Sequence, residues 1–283
     1  MPRLLSEADV ARYRDEGYLA PIRIMAADEA VLLRAQLEAV ESRMGGPLRG
    51  DLRHKSHLLF PFLADLVRHP RLLDAVEDVI GPAILCWNTN FFIKEAANPA
   101  FVSWHQDSTY WGLSEPEVVT AWVALTPSTE ANGAMAVIPA SHTLDQVPHR
   151  DTFHQHNLLT RGQEIAVEVD ESQAALLTLL PGEMSLHHVR VVHGSAANPS
   201  GDRRIGFAIR YIPTRIRQLE GEDSATLVRG ADHFHHVELE PRPQSEMASD
   251  MLALHQRLAE RSARILYRGT GVASFNDPAA IRG

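Results

Sequence analysis

In the segment Trp104-His105-Gln106-Asp107, an imidazole and a carboxylate stand two residues apart. In extended chain, residues at i and i+2 share a face, so His105 and Asp107 can reach one ion. Eighty-eight residues further on, His193 lies between Val191-Val192 and Gly194-Ser195, where a strand of an opposing sheet could return it to the same point. Two histidines and one carboxylate on one face of an octahedral ion leave three positions open, the arrangement of non-heme Fe(II) oxygenases. Two of those positions suit an oxo-acid and the third O2.

Ten residues after His193, the run Arg203-Arg204-Ile205-Gly206-Phe207-Ala208-Ile209-Arg210-Tyr211 alternates in the manner of a strand. One face carries Ile205, Phe207, Ile209 and Tyr211, the other Arg204, Gly206, Ala208 and Arg210. An arginine followed by small residues leaves room for a small dicarboxylate, whose far end needs bidentate pairing with guanidinium. Arg204, rather than Arg203, is therefore the expected anchor.

Composition narrows the chemistry. Among 283 residues, Lys+Arg number 27 and Asp+Glu 36, a net charge of −9 with no long basic run. Nucleic acid and anionic membrane surfaces are thus poor partners, and a small-molecule substrate is expected, with the chain a monomer or homodimer. A single cysteine, Cys86, excludes an intramolecular disulfide framework and any multi-cysteine metal site. A reducing, cytoplasmic setting fits, and any metal must be held by imidazole and carboxylate, for which the 15 histidines leave ample choice. The first twenty residues carry Glu7, Asp9, Asp15 and Glu16 and do not read as an export signal, and no run of 18 apolar residues reads as a membrane span.

The elements that must position these groups read as mainly β with helical additions (α+β), in one domain over 1–283. A helical part covers about 1–82: Ser6 and Asp9 form a capping box opening a helix to about Glu16, a stripe of Val31, Leu32, Leu33, Ala35, Leu37 and Val40 predicts a helix over Ala27 to Met44, and Arg71 to Ile80 predicts a third. From about 83 to 215 the texture is short β-branched or alternating runs between Gly, Pro, Asn and Asp, as in an antiparallel jelly roll. Strands are expected at Ala83–Trp87, Phe91–Lys94, Val118–Leu125, Met135–Ile138, Ile165–Val169, Ala175–Leu179, Glu183–His187 and Ile205–Ile212. A C-terminal extension, about 216–283, carries a helix from Ser245 to about Tyr267 that places Met247, Met251, Leu254 and Leu258 on one stripe across the barrel.

In order and spacing, several of these segments resemble the phytanoyl-CoA dioxygenase family: Trp104 to Asp107, Trp122 in Thr120-Ala121-Trp122-Val123-Ala124-Leu125, Asn132-Gly133 leading to Ile138-Pro139-Ala140-Ser141-His142, Pro181-Gly182-Glu183, His193-Gly194-Ser195, and Arg204 eleven residues beyond the distal histidine. The likeness spans roughly residues 10 to 215. It implies a double-stranded β-helix (a jelly-roll, cupin-like core), Fe(II) held by His105, Asp107 and His193, and 2-oxoglutarate bound to iron and Arg204, with O2 as second co-substrate. It further implies that Ser195 helps hold the same carboxylate, that Trp122 lines the cofactor pocket, and that Asn88 stands where some relatives place a polar side chain against 2-oxoglutarate. One departure is mild, since the usual Pro-Gly-Ser-His turn reads Pro139-Ala140-Ser141-His142 here. A related branch of halogenases lacks the carboxylate, and Asp107 argues against that branch. The activity implied is hydroxylation of an unactivated C–H bond. The alternatives are the same chemistry turned to desaturation, epimerisation or cyclisation, or a jelly roll that binds a metal or ligand without catalysis.

Of the remaining residues, Tyr110, Trp111, His187 and Arg210 are candidates for the substrate pocket. Lys94 is expected to be solvated and Cys86 to be a small buried hydrophobe. His142 is expected to be a turn residue bonded to backbone. His149, His154 and His156 are expected in a solvated loop, and His233, His235 and His236 on the surface.

Overall fold

In the computed structural model residues 2–277 are described; residue 1 and residues 278–283, the ends of the 1–283 domain assignment, lie outside the described residues. The strands are β1 (Tyr18–Arg23), β2 (Ile84–Lys94), β3 (Val102–His105), β4 (Val119–Ala124), β5 (Met135–Ile138), β6 (His149–Asp151), β7 (Gln163–Ile165), β8 (Ala175–Leu176), β9 (Glu183–His188), β10 (Val192–Ser195), β11 (Arg204–Pro213), β12 (Ser224–Arg229) and β13 (Glu238–Leu239). One sheet runs β1-β9-β4-β11-β2-β12-β13, a second runs β3-β10-β5-β8, and β6 pairs with β7. The two main sheets face each other as a jelly roll. Trp122 on β4 and Ala208 on β11 pack against Met135 and Val137 on β5 across the gap.

Alternation along β11 decides what lies on each side of the large sheet. Ile205, Phe207, Ile209 and Tyr211 point outward into one core with Leu63 of helix α3 (Pro61–Leu66) and Leu72 and Val76 of helix α4 (Pro70–Ile80). For that reason the helical N-terminal part exists: it covers the outer apolar face of the sheet. The inward face carries Arg204, Gly206, Ala208 and Arg210. At Gly206 a Cβ atom would stand 1.8 Å from the Trp122 ring, so any side chain would displace the indole.

Helix α1 (Glu7–Glu16) begins as its capping box dictates, with the Asp9 N–H donating to Ser6 Oγ at 3.1 Å and the Ser6 N–H donating to Asp9 Oδ2 at 3.2 Å. It ends at Gly17, whose φ of 80° is left-handed. Helix α2 (Ala27–Met44) has the expected bounds but a narrower buried face. Ala30, Leu37 and Val40 are buried, whereas Val31 and Leu32 are 55% and 64% exposed, because they fall off the i, i+7, i+10 line. Helix α5 (Ser249–Leu266) buries Met251 and Leu258 against Leu58.

Several boundaries differ from expectation. The two strands expected at Ala83–Trp87 and Phe91–Lys94 are one continuous strand, β2, paired with β11 from end to end. β1, inside the helical third, adds to the sheet edge beside β9. The strand expected at Ile165–Val169 stops at Ile165, and that expected at Ala175–Leu179 stops at Leu176. The sheet also continues past residue 215, since β12 pairs with β2. A buried polar cluster fixes that edge: the Lys55 ammonium donates to the Ser224 carbonyl at 2.7 Å and to the Glu240 carboxylate, and Thr226 Oγ1 donates to Glu240 Oε2 at 2.7 Å. Among the described residues no helix is long and apolar enough to cross a membrane.

Candidate metal centre

β3 and β10 are antiparallel neighbours with His105 directly opposite His193, and the two rings lie 4.1 Å apart between centroids. Asp107 follows β3 at the start of a 3-10 turn over Asp107–Tyr110, and its N–H donates to the Val189 carbonyl at 2.9 Å. One ligand atom from each of His105, Asp107 and His193 falls within 4.8 Å of the others, and all three residues are buried. Among the described residues, no other group of three or more His, Cys, Asp or Glu meets that condition.

Hydrogen bonds behind the rings orient them. His193 Nδ1 donates to the Val191 carbonyl at 2.9 Å, and His105 Nδ1 donates to the carbonyls of Ser103 at 2.9 Å and His193 at 3.0 Å. A carbonyl only accepts, so both rings carry a proton on Nδ1, which leaves Nε2 as the ring atom free to bind a cation at the centre. Burial, with His105 alongside, pushes His193 well below the ordinary imidazole range. Burial alone would raise the Asp107 carboxyl, but the neighbouring Arg210 guanidinium opposes it, and the carboxyl is held well below the carboxylate range. Asp107 Oδ2 is buried with no hydrogen-bond partner. Two imidazoles with their Nδ1 atoms tied to backbone and an unsatisfied carboxylate oxygen, gathered at one point, fit a divalent cation.

A partly enclosed cavity adjoins these residues and is lined by them together with Phe92, Met135 and Ala208. Arg204 lines one end of it, and across the β2–β11 pairing stands a second buried basic side chain, Lys94. Arg204 donates to the Gly133 carbonyl at 2.5 Å, with its guanidinium 5.2 Å from the Trp122 ring centre. Lys94 donates to Ser195 Oγ at 2.7 Å, to the Gly133 carbonyl at 3.2 Å and to the Ala196 carbonyl. Among the described residues neither has a carboxylate partner. Burial pushes Arg204 down to about 10, and burial with the Arg204 charge pushes Lys94 down to about 6. An uncompensated buried cation such as Arg204 is costly, and an anionic ligand would relieve that cost. This end therefore fits the distal carboxylate of a dicarboxylic acid. The expectation of a solvated Lys94 is corrected: it shares the inward face of β2 with Asn88, Asn90 and Phe92.

Ser195, Trp122, His187 and Arg210 line the same cavity, as do Thr120 and Phe92, which the sequence reading did not single out. Their signal was present in the alternation of β4 and β2. Three expectations fail. Asn88 lies beyond this cavity and lines a smaller one with Trp87 and Trp111. Tyr110 donates its hydroxyl to Asp151 Oδ1 at 2.8 Å beneath the Arg161 guanidinium. Trp111 packs with Trp87, Val118 and Ile212 and supports Arg210, whose guanidinium lies 4.9 Å from its ring centre. The 3-10 turn after Asp107 carries both aromatics out of the cavity.

Arg203 points away, to Glu41 at 2.8 Å and Glu95 at 2.8 Å. His149 is half-buried rather than solvated, and its Nε2 accepts from the N–H of Gln106, the residue between the proximal pair. His142 Nε2 donates to the Arg14 carbonyl at 2.9 Å, as a structural turn residue should. His154, His233, His235 and His236 are exposed.

Comparison with known proteins agrees with this geometry. The profile of the family described as phytanoyl-CoA dioxygenase (PhyH) matches residues 3–206. A probable alpha-ketoglutarate-dependent hypophosphite dioxygenase of Stutzerimonas stutzeri is 28% identical over 218 residues, covering 70% of this chain and 76% of its own. Among solved structures, the non-heme monooxygenase ThoJ in its apo form superposes with a TM-score of 0.79 at 35% identity, over 91% of this chain and 96% of that one. CytC3 with Fe(II) and alpha-ketoglutarate gives 0.61 at 25% identity, over 86% and 98%. These relatives set aside the non-catalytic jelly roll: the protein is an enzyme, with Fe(II) as its metal and 2-oxoglutarate and O2 as co-substrates. A family match over most of its length, on a fold shared with an iron- and alpha-ketoglutarate-bound relative, means that the chain belongs to the phytanoyl-CoA dioxygenase family.

Proposed function

We propose that the protein hydroxylates an unactivated C–H bond of a small molecule, converting 2-oxoglutarate to succinate and CO2. The observation that carries this reading is the complete, preoriented His105, Asp107 and His193 donor set beside a cation-lined cavity end. In this reading those three residues hold Fe(II), and Arg204, with Ser195 and Trp122, orients the far carboxylate of 2-oxoglutarate. When bound, iron and 2-oxoglutarate together supply the activation of O2 that C–H oxidation requires. The chain supplies orientation and dryness. Arg204 and Lys94 fix one end of the co-substrate, the hydrogen bonds on the two Nδ1 atoms hold the imidazoles, and the apolar walls from Phe92, Met135 and Ala208 keep water from the reacting carbon. The Stutzerimonas relative is named for hypophosphite, which supports a small polar substrate here.

The test is turnover with Fe(II), ascorbate, O2 and 2-oxoglutarate across amino acids, osmolytes and phosphonates. The expected result is succinate formed one for one with a product heavier by one oxygen atom. A product lighter by two hydrogens replaces hydroxylation with desaturation, and succinate at the substrate-free rate throughout the panel overturns the proposal.

Lys94 adds a pH signature. Held near 6 in the ligand-free protein, its amine is mostly uncharged at neutral pH, and a dianion beside it raises that value, so binding takes up a proton. Calorimetry of 2-oxoglutarate binding in buffers of different ionisation enthalpy should show uptake of up to one proton near neutral pH, absent in Lys94→Met. The sign for stability follows the same shift. Between about 6 and the ordinary lysine value the unfolded chain holds more protons, so this group's contribution to stability rises with pH across that window.

A further inference from the structure

At the opposite end of the cavity from Arg204, a single rung crosses four strands of the large sheet. His187 on β9 is paired with Thr120 on β4, Thr120 with Arg210 on β11, and Arg210 with Asn88 on β2. Each member has a buried polar atom without a hydrogen-bond partner: His187 Nδ1, Thr120 Oγ1, Arg210 Nε and Asn88 Oδ1. His187, Thr120 and Arg210 line the cavity of the metal centre. Buried polar groups are almost always satisfied, and four orphans in one row require an explanation.

Arg210 is the centre of the row. It is 7% exposed, makes no hydrogen bond within the described residues, and stands with Nε 3.7 Å from Asp107 Oδ2 and its guanidinium against the Trp111 ring. Charge balance argues that Asp107 does not fully occupy it. Asp107 and a 2-oxoglutarate dianion bring three negative charges, which Fe(II) and Arg204 already match. The Arg210 charge is left over in a buried cavity, and Lys94 adds to the positive side when protonated. Arg210 also lies six residues from Arg204 along β11, roughly 20 Å at strand rise, too far to serve the same carboxylate.

We propose that this rung recognises the primary substrate, and that the substrate carries an oxyanion head group received by Arg210 and Thr120, the two members that line the cavity beside His187. The inference rests on the oxygenase reading above and adds the substrate class to it. His187, 4.9 Å from the His193 ring, closes the row on the metal side. Carboxylates and phosphonates share this chemistry, and neutral hydrocarbons or cationic amines lacking an acid group do not.

The probe is the protein loaded with Mn(II) and N-oxalylglycine, which occupy the metal and co-substrate positions without turnover. Fragment signals broadened by Mn(II) are read by NMR for acetate against acetamide, benzoate against benzamide, and methylphosphonate against its neutral dimethyl ester. In the wild-type protein the acids are expected to broaden at least about tenfold more than their neutral partners, the margin of a charge-assisted hydrogen bond. Arg210→Gln should erase that preference and Thr120→Val should reduce it. The carboxylate and phosphonate arms show which oxyanion is preferred. Equal broadening of acids and neutral partners in the wild type, or an undiminished acid preference in Arg210→Gln, overturns the proposal. So does loss of Mn(II) binding in Arg210→Gln, because Arg210 would then act through Asp107. A wild-type protein that binds neither Mn(II) nor N-oxalylglycine defeats the oxygenase reading as well, whereas binding of both without acid preference defeats the rung alone.

Discussion

In a His193→Ala variant, Fe(II) no longer raises the melting temperature, and 2-oxoglutarate consumption falls by more than about a hundredfold. The magnitude has a lower bound from related losses: removing a group that merely supports a metal ligand costs roughly 10–100-fold in affinity or activity, and His193 is itself a proposed ligand. The loss of the thermal response follows from linkage, because a ligand that binds only the folded state stabilises it by about 2.7 kcal/mol at a hundred times its dissociation constant. Asp107→Ala should behave alike, since it deletes the carboxylate of the set. Metal-free stability is the control: His193 donates one buried hydrogen bond to the Val191 carbonyl, and its loss costs about 1–3 kcal/mol, not the fold. Wild-type turnover by either variant would exclude the assignment of these residues to the metal.

Arg204→Ala should raise the KM for 2-oxoglutarate by roughly thirty-fold to several thousand-fold, the range that corresponds to about 2–5 kcal/mol for truncating one partner of a buried charge pair. At saturating 2-oxoglutarate much of kcat should return, because in the proposed reading the residue positions one end of the co-substrate away from the reacting carbon. Arg203→Ala is the paired comparison. Its guanidinium binds Glu41 and Glu95 on the helical side of the strand, so its removal should lower the melting temperature and leave the KM near wild type. Steady-state kinetics over a wide 2-oxoglutarate range decides the matter. Equal effects from the two variants, or a larger KM effect from Arg203, would mean that the faces of β11 are misassigned.

The parts of the site that sequence reading reached are those written in local spacing. His105 and Asp107 are two residues apart at a strand end, and Arg204 is one position along an alternating strand, so period-two reasoning placed all three. His193 needed long-range pairing, which its flanking valines and glycine only suggested, and the family resemblance supplied the rest. The misses have physical causes. Asn88-Thr89-Asn90 has the composition of a turn, yet it lies inside β2, because its backbone pairs residue by residue with Arg210, Ile209 and Ala208 of β11. Lys94 was misplaced because a buried lysine without a carboxylate partner is unfavourable in any chain read by itself, and becomes sensible only when an anion is included. Tyr110 and Trp111 were misplaced because a 3-10 turn advances about three residues per turn rather than alternating, so residues after Asp107 do not inherit its direction. Val31 and Leu32 show the reverse case: apolar side chains that join no face of the core.

β11 is hydrogen-bonded along both edges, to β4 and to β2. Arg204 and Arg210 therefore sit on a ruler of fixed length, and the gap between the co-substrate end and the substrate rung cannot be adjusted by loop insertions. New specificity has to be written by exchanging side chains along the rung, in place. A one-residue deletion inside β11 would instead turn the strand over on one side of the cut, carrying outward apolar residues into the cavity and one of the two guanidiniums into the helical core. The enzyme's tolerance of variation is thus steeply asymmetric: wide at single rung positions, and almost nil for any change in the length of this one strand.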